Sequence, residues 1–325
     1  MDVEELINRG CRKHQAEMYE EAIEDFSAAI KLDPKDAWAY YFRGYAYFEL
    51  KKFDVAIKDI TKAINIDPFG SFFSTRGRAY NFQGNHGLAI KDYTTAIKLE
   101  ERAFDYEQRG RTYYIQGNYK AAIKDYTAAI KLEENAYYFC DRGDAYYELE
   151  NYEAAIKDYT SAINLLKQDD PVSAECSLLK RGQALFFNGQ YEDAISDLEK
   201  VITDESEMDN KINGFRWLGH VYDHLEEFDK AESYFSLAIE NANDDDENKG
   251  FVYHMYSCRA TTRFNMEKYQ LCLSDVEKIL LEYPDREDCL QLQKDALAEM
   301  EKSSAKKTIK DDSFDACCAA DESYF

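Results

Sequence analysis

An all-α fold, a stack of repeated two-helix units, is what the sequence predicts, and three observations carry the prediction. First, a small residue recurs at Gly10, Gly44, Gly77, Gly110, Gly143, Gly182 and Gly219, with Ala260 in the eighth place. Second, another small residue follows twelve positions later, at Ala22, Ala56, Ala89, Ala122, Ala155, Ala194 and Ala231, then Cys272. Third, apolar residues around these markers repeat at three- and four-residue spacing, the period of one helix face. All four prolines, Pro34, Pro68, Pro171 and Pro284, fall in the connections between units, where a helix can stop.

The stretch Tyr106–Leu132 shows the unit most plainly. Its first half carries Tyr106, Gly110 and Tyr113 on one face, and its second carries Tyr119, Ala122, Ile123, Tyr126, Ala129 and Ile130. A turn is expected at Gln116-Gly117-Asn118. Neither helix can hide its apolar stripe alone, so such units must stack around a continuous core. In order, the units span about 3–36, 37–69, 70–102, 103–135, 136–174, 175–211, 212–252 and 253–287. The glycine spacing is 33 or 34 residues at first, then 39, 37 and 41. The extra residues lie in LLKQDDPVSAE, TDESEMDNKI and ENANDDDENKG, which read as acidic surface loops. A capping helix over 288–302, with Leu290, Leu297 and Met300, should cover the last apolar face. Residues 303–325 lack a usable period and read as a disordered tail.

A large apolar residue lies four positions before each marker, at Leu6, Tyr40, Phe73, Tyr106, Phe139, Leu178, Phe215 and Tyr256. With the small residues and the spacing, this pattern resembles the tetratricopeptide repeat over about residues 3–287. The resemblance implies a right-handed superhelical solenoid of antiparallel helix pairs whose concave groove is lined mainly by each unit's first helix. It also implies a non-catalytic scaffold or adaptor that binds a peptide or protein segment.

The units can be compared with one another. Arg9, Arg43, Arg76, Arg109, Arg142, Arg181 and Arg259 precede the marker, but unit seven has Leu218. Three residues after the second small residue stand Asp25, Asp59, Asp92, Asp125, Asp158, Asp197 and Asp275, but unit seven has Tyr234. Both members change together, as an ion pair between the two helices of a unit predicts. The next unit is expected to cover each pair.

Mapped from the family, groove-facing side chains lie three before, one after and four after each marker. These include Tyr41, Tyr45 and Phe48 in unit two, Arg78 and Asn81 in unit three, Arg111 and Tyr114 in unit four, and Tyr147 in unit five. Arg78 and Arg111 would stand on adjacent units among aromatic rings. An Arg fork holds a carboxylate bidentately and Tyr gives broad contact at low entropy cost, so an acidic or C-terminal carboxylate anchor would suit them. The family's two-carboxylate chaperone clamp is not found: its places hold Ile7, Cys11, Phe42, Ser71 and Thr75 in one register. The next registers give Tyr41, Tyr45, Thr75, Phe104 and Gln108, then Ser74, Arg78, Gln108, Tyr137 and Asp141. The alternative is a structural subunit of a multiprotein assembly, held through surfaces outside the groove.

Composition narrows the classes. With 64 acidic against 40 basic side chains, the net charge of −24 opposes nucleic acid and anionic membranes. Aromatics are abundant (26 Tyr and 19 Phe), enough for a large core. Eight cysteines without a CxxC pair, no leader-like N-terminus and no bilayer-length apolar run point to a cytoplasmic protein; the oligomeric state is left open, with a monomer favoured. No catalytic motif or cofactor loop occurs, so neither enzyme activity nor a cofactor is expected. His220 and His224 are spaced i, i+4, but HVYDH lacks the Glu of a zinc protease, so no metal is expected there. Cys317-Cys318 reads as an exposed pair, and Ser323-Tyr324-Phe325 as a weak PDZ-type end.

Overall fold

The computed structural model describes residues 2–166, 170–203, 206–242 and 249–320, with side chains throughout except at 171 and 304–320. Within those residues the chain is α-helical, with no strand. It forms two compact parts, Met1–Leu166 and Lys167–Phe325.

In the first part, α1 (Val3–Gln15) pairs with α2 (Tyr19–Leu32), α3 (Ala37–Glu49) with α4 (Phe53–Ile66), and α5 (Gly70–Phe82) with α6 (His86–Leu99). Then α7 (Ala103–Ile115) pairs with α8 (Tyr119–Leu132) and α9 (Ala136–Glu148) with α10 (Tyr152–Leu166). The second part holds α11 (Pro171–Phe187) with α12 (Tyr191–Val201), α13 (Met208–His224) with α14 (Phe228–Asn241), and α15 (Lys249–Asn265) with α16 (Tyr269–Glu282). It ends with α17 (Glu287–Ala320). Side chains cap several starts: Asp36 accepts from the Ala39 amide at 2.8 Å, and Asp170 from Ser173 at 3.0 Å.

The turn inside each pair uses one device. The residue seven positions after each marker has positive φ: Glu17, Lys51, Gly84, Gly117, Glu150, Gly189, Glu226 and Glu267. A left-handed residue here ends the first helix and lets the chain reverse.

The marker glycines serve side-chain packing more than a direct backbone approach. A Cβ on Gly110 would stand 2.9 Å from the ring of Tyr126, and one on Gly143 2.7 Å from Tyr159. Phe26, Tyr93 and Phe235 lie over Gly10, Gly77 and Gly219 in the same way. Ala260 is tolerated in the eighth repeat because the residue at that place is Val276, buried in the same cluster.

The seven Arg–Asp pairs form as expected, each bidentate, from Arg9 to Asp25 through Arg259 to Asp275. Several arginines, however, have a further partner in the preceding repeat. Arg43 donates onward to Ser27, Arg76 to Thr61, Arg109 to Thr94 and Arg142 to Thr127, all on the previous second helix. Arg9, in the first of these repeats, has a side chain 40% exposed against 15% for Arg76. The apolar residue four before the marker also takes part, with the guanidiniums of Arg43, Arg76, Arg109 and Arg142 over Tyr40, Phe73, Tyr106 and Phe139. In repeat seven Leu218 is buried and Tyr234 stacks on Tyr222 at 5.5 Å.

The inserted residues of repeats six to eight are only partly loop. The first helices α11, α13 and α15 have 17 residues where α3, α5, α7 and α9 have 13. Four residues are one more helical turn, added at the N-terminal end. Pro171 therefore stands in the first turn of α11, where its missing N–H costs nothing. The backbone of α17 runs on helically past residue 302 to Ala320. No Pro or Gly interrupts SSAKKTIKDDSFDACCAA. The PDZ-type end and the side chains of Cys317 and Cys318 lie outside the described residues.

Candidate functional site

The first helices of repeats two to five carry all of the expected groove residues. At the N-terminal end the face is aromatic. Tyr41 stacks on Phe72 with centroids 4.5 Å apart, and its hydroxyl meets Thr75 Oγ1 at 3.2 Å. Tyr45 stacks on His14 at 4.8 Å and lies parallel to Tyr41 at 6.2 Å. Trp38 extends the cluster, 4.9 Å from Phe72 and 5.0 Å from Phe69. Aromatic pairs at such distances hold one another rigid, so this floor is pre-organised.

Phe48 belongs to the floor but is only 5% exposed, because it is covered. Phe53 and Phe82 flank it at 5.6 Å, and the Arg78 guanidinium lies 4.6 Å from its ring centroid. Among the described residues no carboxylate comes within ion-pair distance of Arg78. Its planar cation is therefore held on an aromatic face with its N–H edges uncommitted to an acid. Asn81 is engaged within its own repeat, where its Oδ1 lies 2.6 Å from His86 Nδ1 and ties the end of α5 to the start of α6.

Arg111 is in a different state. Its Nη1 lies 3.3 Å from Glu107 Oε1, and Gln108 donates to the other oxygen of Glu107 at 2.7 Å. Glu107 is 7% exposed; burial pushes its carboxyl above the usual range, against the pull of Gln108, Arg111 and Arg78. The two arginines thus flank one buried carboxyl instead of presenting a matched pair. Arg111 also borders a cavity of about 260 Å³ with Tyr114, Ile115, Tyr126, Asp141 and Asp144. Tyr114 donates to Glu148 at 3.4 Å, and Tyr147 meets Tyr152 edge-on at 5.5 Å. The position three before the marker is less open than expected: Ser74, Glu107 and Leu179 are all buried.

The second helices supply groups that the first-helix reading missed. Tyr159 donates to Asp144, the residue just after its marker, at 2.8 Å. Tyr93 and Tyr126 occupy the same place in repeats three and four, where the residues after the marker are Arg78 and Arg111. An arginine has no acceptor, and the buried Tyr93 hydroxyl has no hydrogen-bond partner. The sequence does carry a signal for this. A tyrosine sixteen after the marker occurs only in the repeats with a charged residue one after it.

His220 and His224 do not converge: His224 Nε2 meets Tyr191 Oη at 2.8 Å, while His220 faces His254 on α15. No helix among the described residues is long and apolar enough to cross a membrane.

Family models described as tetratricopeptide or TPR repeat match residues 12–51, 37–69, 72–102, 107–173 and 179–246. No curated protein gives a significant match. Among solved structures, the C-terminal part of a TPR repeat-containing protein from Cytophaga hutchinsonii is similar, with TM-score 0.60 and 21% identity over 74% of this chain and 97% of that one. A tetratricopeptide repeat protein from Parabacteroides merdae has TM-score 0.54 and 19% identity, covering 78% of this chain and 98% of its own. PilF of Pseudomonas aeruginosa has TM-score 0.53 and 18% identity over 61% and 90%. At these identities the likeness is one of fold. The repeated glycine and alanine markers, the helix pairs and the family matches agree: the chain belongs to the tetratricopeptide repeat family.

Proposed function

We propose that this non-catalytic interaction scaffold grips an extended polypeptide segment on the first-helix face of repeats two to five, with a carboxylate of that segment held by Arg78. The observation that carries the reading is the state of Arg78, fixed on Phe48 and without an acidic partner. Tyr41 and Tyr45 give the segment an apolar floor, Phe48 supports Arg78 from beneath, and Tyr114 and Tyr147 continue the floor toward repeat five. Arg111 is the weaker anchor, since Glu107 already faces it and Asp141 and Asp144 line its cavity.

The test is selection from a peptide library with free C-termini, followed by affinity measurement on wild type and two charge reversals. A charge-assisted hydrogen bond is worth about 1.5–3 kcal/mol, so Arg78→Glu should weaken binding by about 10–100-fold. Arg111→Glu should cost less. Unchanged affinity in Arg78→Glu would remove the carboxylate anchor.

A second reading, an assembly subunit held outside the groove, is favoured by one observation. Leu32, Leu99, Leu132 and Tyr137, at the ends and starts of helices between repeats, are each about half exposed. Light scattering at two concentrations and copurification in a fixed stoichiometry would support it over the first.

A further inference from the structure

We propose that His220, His254 and Cys258 form a binding site for a thiophilic divalent cation of the zinc type, clasped between the first helices of repeats seven and eight. His220 comes from α13, one residue after Gly219; His254 and Cys258 come from α15, four residues apart on one helix face. Their ligand atoms all lie within 4.8 Å of one another. Cys258 Sγ and His254 Nε2 are 3.8 Å apart. Tetrahedral zinc with bonds of about 2.0–2.3 Å holds its ligand atoms roughly 3.3–3.6 Å apart, so closure asks only for small side-chain rotations.

The donor set suits that cation and not its commoner rivals. Two imidazoles and a thiolate match zinc, whereas calcium and magnesium require oxygen ligands. His220 is walled by Trp217 at 5.5 Å and Phe235 at 5.3 Å, which orient its ring. A neutral imidazole offers its ring lone pair to a metal without losing a proton. Without a metal a cysteine is mainly a thiol at neutral pH. Binding therefore breaks the S–H bond, forms a sulfur–metal bond and releases one proton to solvent.

The surrounding charges set the strength. Arg216 and Arg286 oppose a cation, while Asp223, fixed by the Thr262 hydroxyl at 2.6 Å, lies near Cys258 and offsets part of that. Three protein ligands leave a fourth position for water or a partner's side chain. Repeat seven is also where the recurring Arg–Asp clip is replaced by Leu218 and Tyr234. A metal clip to the neighbouring first helix would fasten the repeat that lacks the ionic one.

The experiment titrates the full chain, stripped with chelator, with Co²⁺ as a visible probe and then with Zn²⁺. One equivalent should produce tetrahedral ligand-field bands and a thiolate charge-transfer band, release one proton, and be displaced by Zn²⁺. Cys258→Ser should abolish the charge-transfer band. His254→Gln, at an exposed position, should weaken binding by more than the roughly 10–100-fold that outer hydrogen-bonding partners contribute. His224→Gln should change nothing, and far-UV circular dichroism verifies that each variant is folded. The site is refuted by a wild type without a saturable band, or by a charge-transfer band that survives in Cys258→Ser.

Discussion

At the scale of single residues, two basic side chains of one helix separate cleanly by environment. Arg109 is bidentate to Asp125, bonded to Thr94 of the previous repeat and laid over Tyr106, so three neighbours fix it. Arg111, two residues on, has among the described residues a single ion pair, the partly exposed one to Glu107. Removing one member of a buried ion pair costs about 3–5 kcal/mol, whereas replacing both by packed apolar groups can be nearly neutral. Asp125→Ala should therefore lower stability to chemical denaturation by that amount. The double change Arg109→Leu with Asp125→Tyr, the arrangement native to repeat seven, should lose much less. Equal losses would show that the two side chains are not coupled. Glu107 gives a second prediction, set by pH. Burial raises its folded-state pKa above the unfolded value, so the folded protein holds the proton more tightly. Its contribution is favourable at acidic pH and is lost as pH rises from the unfolded value through the raised one. Glu107→Gln should raise the denaturation midpoint at pH 7 and give little change at pH 4. A stabilisation equal at both pH values would mean that packing, not ionisation, is responsible.

At the scale of elements, the turn between paired helices is the most uniform device in the chain, yet its sequence is not. Gly117 has φ +71° and Glu150 φ +57° at equivalent places. A left-handed conformation costs a residue with a Cβ about 1–2 kcal/mol, and glycine nearly nothing. Glu150→Gly should accordingly stabilise the protein by about 1 kcal/mol, and Gly117→Glu should destabilise it comparably, as thermal denaturation would register. The same contrast governs what the sequence reveals. The Gln116-Gly117-Asn118 turn is legible because glycine announces a left-handed residue, whereas Glu17, Lys51 and Glu267 hide the same geometry behind ordinary side chains. The longer first helices of repeats six to eight look like loops in the sequence for a related reason. The added turns read PVSA, MDNK and KGFV; each follows directly on an acidic run and the three share no apolar period, so nothing marks them as helix. The Arg–Asp clip is legible because it recurs; its further partner in the preceding repeat is not, because Ser27 and Thr94 are unremarkable singly. Within the candidate site Arg78 and the aromatic floor are readable from their place in the repeat. The counter-charge of Glu107 and the hydroxyls of Tyr93 and Tyr126 require the packing of one helix on another.

For the whole molecule, electrostatics acts in two opposed ways, and magnitudes decide between them. The seven ion pairs are favourable and mostly sheltered, with Asp92 and Asp125 side chains 6% and 5% exposed. The remaining charge is a surplus of acid: 64 against 40, or −24, spread over the solvated surface. Salt reaches the second class far more than the first, because the Debye length falls from about 30 Å at 0.01 M to about 8 Å at 0.15 M while buried pairs are screened little. Self-repulsion of the acidic surface should therefore dominate the salt response. Raising sodium chloride across that range should raise the melting temperature of wild type. The Asp125→Ala variant should show the same upward slope from a lower start, since the pair it lacks was sheltered. A wild-type melting temperature that falls with salt would mean instead that the ion pairs outweigh the surplus, and that their partial exposure matters more than their burial.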